Sequence, residues 1–65
     1  MRKELRVLRA KHDLTQKDLA QKLGVGKSAY CRKENGENAF SLEEVAKLKK
    51  IFSLTAEEVV KIFLT

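Results

Sequence analysis

The sequence predicts an all-α domain, a compact packing of five short helices with no sheet. Three observations carry that expectation. Proline is absent and glycine stands only at Gly24, Gly26 and Gly36, so the strongest helix breakers gather in one stretch of the chain. Ala, Leu, Lys, Glu and Gln dominate the remainder, and all are good helix formers. No segment alternates apolar and β-branched residues with polar ones over the length of a strand. The chain has 65 residues and 21 large apolar side chains among Val, Ile, Leu, Met, Phe and Tyr, enough to fill one small core, so residues 1–65 read as a single domain. Domains below about 70–80 residues are marginal, and help from dimerisation or a ligand is expected.

The first helix is expected from about Arg2 to Lys11, with Leu5 and Leu8 facing inward and Met1 one turn earlier. Asp13, which tolerates a left-handed conformation better than most residues, ends it, and Leu14 turns inward. Thr15 is a good N-cap for a second helix from Gln16 to Leu23, with Asp18 at the capping-box position and Leu19, Ala20 and Leu23 on the inner face. Gly24 fits the residue just past that helix, and Gly24-Val25-Gly26 connects to a third helix from Lys27 to about Glu34, closed by Asn35-Gly36. Ser41-Leu42-Glu43-Glu44 is a capping box that opens a fourth helix, with Leu42, Val45, Leu48 and Phe52 inward. Thr55-Ala56-Glu57-Glu58 opens a short fifth helix carrying Val59, Ile62 and Phe63.

Charge is distributed unevenly along this plan. The formal net charge is +5, yet residues 1–33 hold ten Lys and Arg against three acids, a net of +7, whereas residues 34–65 carry −2. A basic half beside a near-neutral half points to a polyanion-facing side, although charge alone fits a solvated surface as well.

Other chemistries find little support. No apolar run approaches the roughly 18 residues of a membrane span, and the start Met1-Arg2-Lys3-Glu4 does not lead into an apolar signal segment. One cysteine, Cys31, makes no internal disulfide and fits a reducing compartment. His12 and Cys31 are the only soft metal ligands, too few for a four-ligand zinc site, so neither a metal nor another cofactor is expected. Glu43-Glu44 and Glu57-Glu58 are acid pairs at helix starts, where they complement the helix dipole; no nucleophile accompanies them, and no catalytic residue is assigned. The glycines do not form a phosphate loop.

The informative stretch is Gln16 to Lys33, which reads helix, short glycine-containing turn, helix. Ala20 stands where the two helices cross, so a larger side chain would push them apart; Gly24 permits positive φ at the turn; Leu19, Val25 and Tyr30 bury the inner face and fix the angle between the helices. The second helix of such a pair can lie in the major groove of DNA. On the residues Leu14 to Val25 (LTQKDLAQKLGV), Glu34-Asn35-Gly36 and Ser41-Leu42-Glu43-Glu44, the chain resembles the lambda-repressor and Cro-type helix-turn-helix family over about Lys3 to Ile62. Members are prokaryotic and phage transcription regulators, commonly dimers on palindromic operators.

The resemblance implies a lambda-repressor-like fold whose helix-turn-helix is formed by the second and third helices. It also implies roles. Gln16 opens the second helix, where the family grips a DNA phosphate. Lys27, Ser28, Cys31 and Arg32 match base-reading positions on the third helix, with Arg32 suited to bridge O6 and N7 of a guanine or, alternatively, to hold a phosphate. Ser28 could instead be a helix-start hydroxyl, and Cys31 either packs on a thymine methyl or is an incidental thiol. Asn35 matches a phosphate contact and is equally a helix C-cap. Arg9 and Glu34 match an ion pair between the first and third helices. Lys33 departs from the family's usual aliphatic residue: its stem packs while its ammonium reaches a phosphate. Gly26 replaces a usual Ser or Thr cap, and the loop Glu37-Asn38-Ala39-Phe40 lacks the basic residues that often enter the minor groove.

The functional expectation is therefore a cytoplasmic regulator, prokaryotic or phage-encoded, that binds double-stranded operator DNA as a homodimer, with Ile62, Phe63 and Leu64 at the dimer interface. The chain is expected to be either a whole Cro-like protein or the DNA-binding part of a longer repressor. A rival of another class is a protein-interaction module on the same fold, an antitoxin or adaptor, which an apolar exposed third helix would favour.

Overall fold

The first N–H groups and the last C=O groups of a helix have no partner within it, and much of this chain's local design serves those groups. The computed structural model describes residues 3–64, which form α1 (Lys3–Lys11), α2 (Gln16–Leu23), α3 (Lys27–Glu34), α4 (Leu42–Ile51) and α5 (Ala56–Phe63), with no strand among them. Met1 and Arg2, assigned from the sequence to the first helix, lie outside the described residues.

Three helices open on reciprocal capping boxes. Asp18 N–H donates to Thr15 Oγ1 at 3.0 Å while Thr15 N–H donates to Asp18 Oδ2 at 2.9 Å. The same exchange joins Ser41 to Glu44 and Thr55 to Glu58. Each carboxylate also sits at the positive end of its helix dipole. α3 is the exception: its N-cap is Gly26, with no side-chain cap and no acid in the first turn.

Four helices stop in one way. Residues 13, 24, 36 and 53 adopt positive φ of 54°, 73°, 87° and 53°. Around each, the N–H of the following residue reaches back to the helical carbonyl five residues earlier: Leu14 to Arg9, Val25 to Ala20, Glu37 to Arg32 and Leu54 to Lys49. These are Schellman closures, and they absorb carbonyls that would otherwise lack partners. Glycine fills two of the left-handed positions; Asp13 and Ser53 fill the others.

With the connections so tight, the helices converge on a core of Leu5, Leu19, Ala20, Leu23, Tyr30, Leu48, Phe52, Leu54 and Ile62, with Leu8, Leu14, Val25, Phe40, Ile51, Val59 and Phe63 packed against it. Ala20 is buried and α2 lies directly against α3, as the small side chain at the crossing requires. Phe40, a loop residue in sequence, bridges Tyr30 of α3 (ring centroids 6.1 Å) and Phe63 of α5 (5.4 Å, edge to face).

Two expectations about apolar faces are corrected. Leu42 does not face inward; it is 91% exposed. At about 100° per residue it lies roughly 120° around α4 from Leu48, and the inner position in that first turn belongs to Glu44. Ile62, expected at a dimer interface, is buried in the core of the single chain, and Phe63 is half-buried against Phe40. The apolar surface that α5 leaves open is Val60 and the following Leu64, 48% and 74% exposed.

Candidate nucleic-acid interface

The outer face of α3 follows from its helical phase. Lys27, Cys31, Asn35, Ser28 and Arg32 fall within an arc of about 140° at 100° per residue, and the buried Tyr30 and Glu34 lie outside it, on the side that adjoins Lys27. Lys27, Ser28, Arg32 and Asn35 are exposed, and Cys31, between Lys27 and Asn35 on the arc, is half-buried. Among the described residues, the side chains of Lys27, Ser28 and Arg32 make no ion pair or hydrogen bond to the rest of the chain. Asn35 is the C-cap of α3, its backbone N–H donating to the Cys31 carbonyl while the Gly36 N–H donates to that of Lys33.

Beneath this face lies a buried polar cluster centred on Glu34, whose side chain is 1% exposed. Arg9 Nε donates to Glu34 Oε2 at 2.8 Å and Arg9 Nη2 to Oε1 at 3.0 Å, a two-point pairing of guanidinium and carboxylate. Tyr30 Oη donates to Oε2 at 2.6 Å and Gln16 Nε2 to Oε1 at 3.2 Å, so each carboxylate oxygen accepts two bonds. Arg9 Nη1 also donates to the Leu14 carbonyl at 3.2 Å, tying the α1–α2 turn into the cluster. Burial by itself would raise the Glu34 pKa; the bonds from Arg9, Tyr30 and Gln16 outweigh it and hold the carboxyl below its ordinary value. Burial, reinforced by the Glu34 charge, pushes the Tyr30 phenol up, and the bond to Glu34 raises the Arg9 guanidinium. At physiological pH the cluster is therefore one carboxylate, one guanidinium and one neutral phenol, binding α1, α2 and α3 together.

Two assigned residues are engaged differently from the expectation. The Lys33 ammonium, expected at a phosphate, is paired with Glu44 of α4, and both side chains are largely buried. Burial opposes ionisation of Glu44, but Lys33 and the Ser41 N–H together hold its carboxyl below the usual range. Glu44 thus caps α4 and anchors α3 at once, which the capping-box pattern alone could not reveal. Cys31 donates from Sγ to Gln16 Oε1 at 3.0 Å, so two residues assigned to separate DNA contacts touch one another.

A shallow cleft opens beside this cluster, lined by Arg9, Leu14, Thr15, Gln16, Lys17 and Lys27. It joins the end of α1 to the starts of α2 and α3 and has the positive lining that an anionic oxygen prefers. Lys17 was not singled out in the sequence. The available signal was its place at the second position of α2, next to Gln16.

A helix-turn-helix family model matches residues 5–59, most of the described chain and all of the elements that build this face. The chain belongs to the helix-turn-helix family. It is of the lambda-repressor and Cro type, a group of DNA-binding transcription regulators rather than enzymes. Over 59 residues the helix-turn-helix chain is 39% identical to an uncharacterized HTH-type transcriptional regulator of Methanocaldococcus jannaschii, covering 91% of this chain and 89% of that one. It is 39% identical over 57 residues to the cryptic phage CTXphi transcriptional repressor RstR of Vibrio cholerae, and 40% identical over 58 residues to a putative HTH-type transcriptional regulatory protein of Thermococcus kodakarensis. These matches cover 88% and 89% of this chain but 51% and 18% of the relatives, so it spans about half of the phage repressor and under a fifth of the Thermococcus protein. No solved structure gives a significant match. No helix among the described residues is long and apolar enough to cross a membrane.

Proposed function

We propose that this helix-turn-helix chain binds double-stranded DNA with sequence preference to control transcription, laying α3 in the major groove. The observation that carries the reading is the outer face of α3: Lys27, Ser28 and Arg32 are exposed together on a helix whose inner face is anchored by Glu34. Arg32 reads guanine and Lys27 and Ser28 meet neighbouring base edges, while Gln16, with Lys17 beside it in the cleft, and Asn35 hold phosphates on either side. The phage relative is a transcriptional repressor, and repression from a palindromic operator is the form proposed for this chain, with the protein working in the cytoplasm. Two copies meet through Val60 and Leu64 rather than through Ile62.

The charged and polar character of α3's outer face favours DNA over a protein partner, which an apolar face would have suited. Selection of bound duplexes from a random pool tests the reading, because it reports binding, sequence preference and half-site spacing together. Recovery of a motif with two inverted half-sites, and affinity that falls steeply with salt, is the expected result. Absence of binding to any duplex at low salt would overturn it.

A further inference from the structure

Gln16 and Cys31 lie fifteen residues apart, on α2 and α3, and meet at the edge of the proposed DNA-facing surface. We infer that Cys31 is a positioning residue for Gln16: its S–H holds the carbonyl end of the Gln16 amide inward, so that an amide N–H is what remains for a DNA phosphate.

The orientation of the amide is set by chemistry. Glu34 is ionised and can only accept hydrogen bonds, so the end of Gln16 that lies 3.2 Å from Glu34 Oε1 must be the NH2 group. A carbonyl oxygen there would face a carboxylate. The planar amide then places Oε1 on the other side, 3.0 Å from Cys31 Sγ, where the thiol supplies the donor that an oxygen needs. One Nε2 hydrogen is spent on Glu34 and the second remains. Gln16 lines the cleft with Lys17 and Lys27, and a phosphate oxygen arriving there meets a donor from the Gln16 side chain, beside those lysines, only if the amide stays in this orientation.

Without the thiol, the carbonyl loses its internal partner, the bond to Glu34 is left as the side chain's one anchor, and more of its ordering is deferred until DNA binds. A serine at this position keeps a donor; an alanine does not. Cys31 therefore acts on affinity through Gln16 and reads no base itself.

The test uses Cys31→Ala and Cys31→Ser, each alone and combined with Gln16→Ala. Each is titrated against a duplex recovered by selection and a random-sequence duplex of equal length, at a temperature where all variants are folded. The Gln16 side-chain amide is followed by NMR in the free protein. Cys31→Ala is expected to weaken both duplexes alike by about five-fold, the scale of one neutral hydrogen bond, while Cys31→Ser stays near wild type. In the Gln16→Ala background Cys31→Ala should add nothing, since the group it positions is gone. The Gln16 amide resonances should move toward solvent-exposed positions in Cys31→Ala and hold in Cys31→Ser. Equal losses in both backgrounds, or a loss confined to one base pair of the operator, make Cys31 an independent base contact and overturn the inference. So does a silent Cys31→Ala or an unmoved Gln16 amide. The role rests on the DNA-binding reading, yet the two fail differently. A wild-type chain that binds neither duplex removes both; a wild-type chain that binds while Cys31→Ala changes nothing removes only the positioning role.

Discussion

Arg9 and Glu34, twenty-five residues apart, are joined at two points, Nε to Oε2 at 2.8 Å and Nη2 to Oε1 at 3.0 Å, with the carboxylate almost wholly out of water. The pair ties the helix that scaffolds the domain to the helix that carries its outer face. A buried ion pair adds modest net stability compared with an apolar alternative, but removing one partner strands a charge away from solvent.

That asymmetry sets the first expectation. Arg9→Ala should destabilise the fold by about 3–5 kcal/mol, leaving Glu34 unpaired, and Glu34→Gln should also cost stability by leaving Arg9 uncompensated. Urea or thermal unfolding measures both. A loss for Arg9→Ala below about 1 kcal/mol, the range of a surface pair, would show that the cluster is not structural.

Stability should be flat at neutral pH and fall on both sides. Glu34, Glu44 and Asp18 have folded pKa values below their ordinary 4.5, 4.5 and 3.8, so the stability they contribute is complete above those values and is lost as pH falls through the lower folded ones. Tyr30 is shifted up from 10.0, so its contribution is complete below that value and is lost at higher pH. Melting temperatures across the pH range check this, and Glu34→Gln should flatten the acid limb. An acid limb equally steep in Glu34→Gln would place its origin elsewhere.

The left-handed positions should respond with opposite signs. Gly24→Ala, at φ 73°, should cost roughly 1–2 kcal/mol from backbone strain alone, since a Cβ there meets no neighbour. Ser53→Gly, at φ 53°, should stabilise, because it relieves a conformation that L-residues resist. Gly26→Ser should stabilise α3 by a few tenths of a kcal/mol: φ −72° suits serine, space is open, and the helix gains a cap. Denaturant midpoints of the three variants decide it.

On DNA, Arg32→Ala should relax preference at one position of each half-site, a discrimination of about 1–3 kcal/mol, whereas Lys17→Ala should weaken all duplexes alike and lower the salt slope by about one. Uniform weakening by Arg32→Ala would make Arg32 a phosphate contact instead.

For the dimer, Leu64→Glu should shift sedimentation toward monomer while leaving the fold intact, because Leu64 is exposed and outside the core. Unchanged association would remove α5 as the contact between copies.

Local rules carried the sequence a long way. The bounds of α2 and α3, the three capping boxes and the closures at Gly24 and Gly36 depend on residues within a few positions of one another, and there the side chain that satisfies a backbone group is visible in the chain itself. Ser53 escaped because serine is an uncommon left-handed residue and its conformation is imposed by Phe52 and Leu54 entering the core on either side. Leu42 misled because an apolar residue at the first helical position satisfies the inward pattern in sequence, while the helix phase turns it outward.

The order of apolar, capping and glycine residues thus settled the helices and, through Gln16, Ala20, Gly24 and Glu34, the family. Which polar groups meet was decided only by packing. Lys33 lies on α3 and Glu44 on α4; Cys31 and Gln16 are on different helices; and a half-buried thiol or ammonium takes whichever partner the fold brings within about 3 Å, because leaving it unpaired away from water costs more than a chance at a distant phosphate repays.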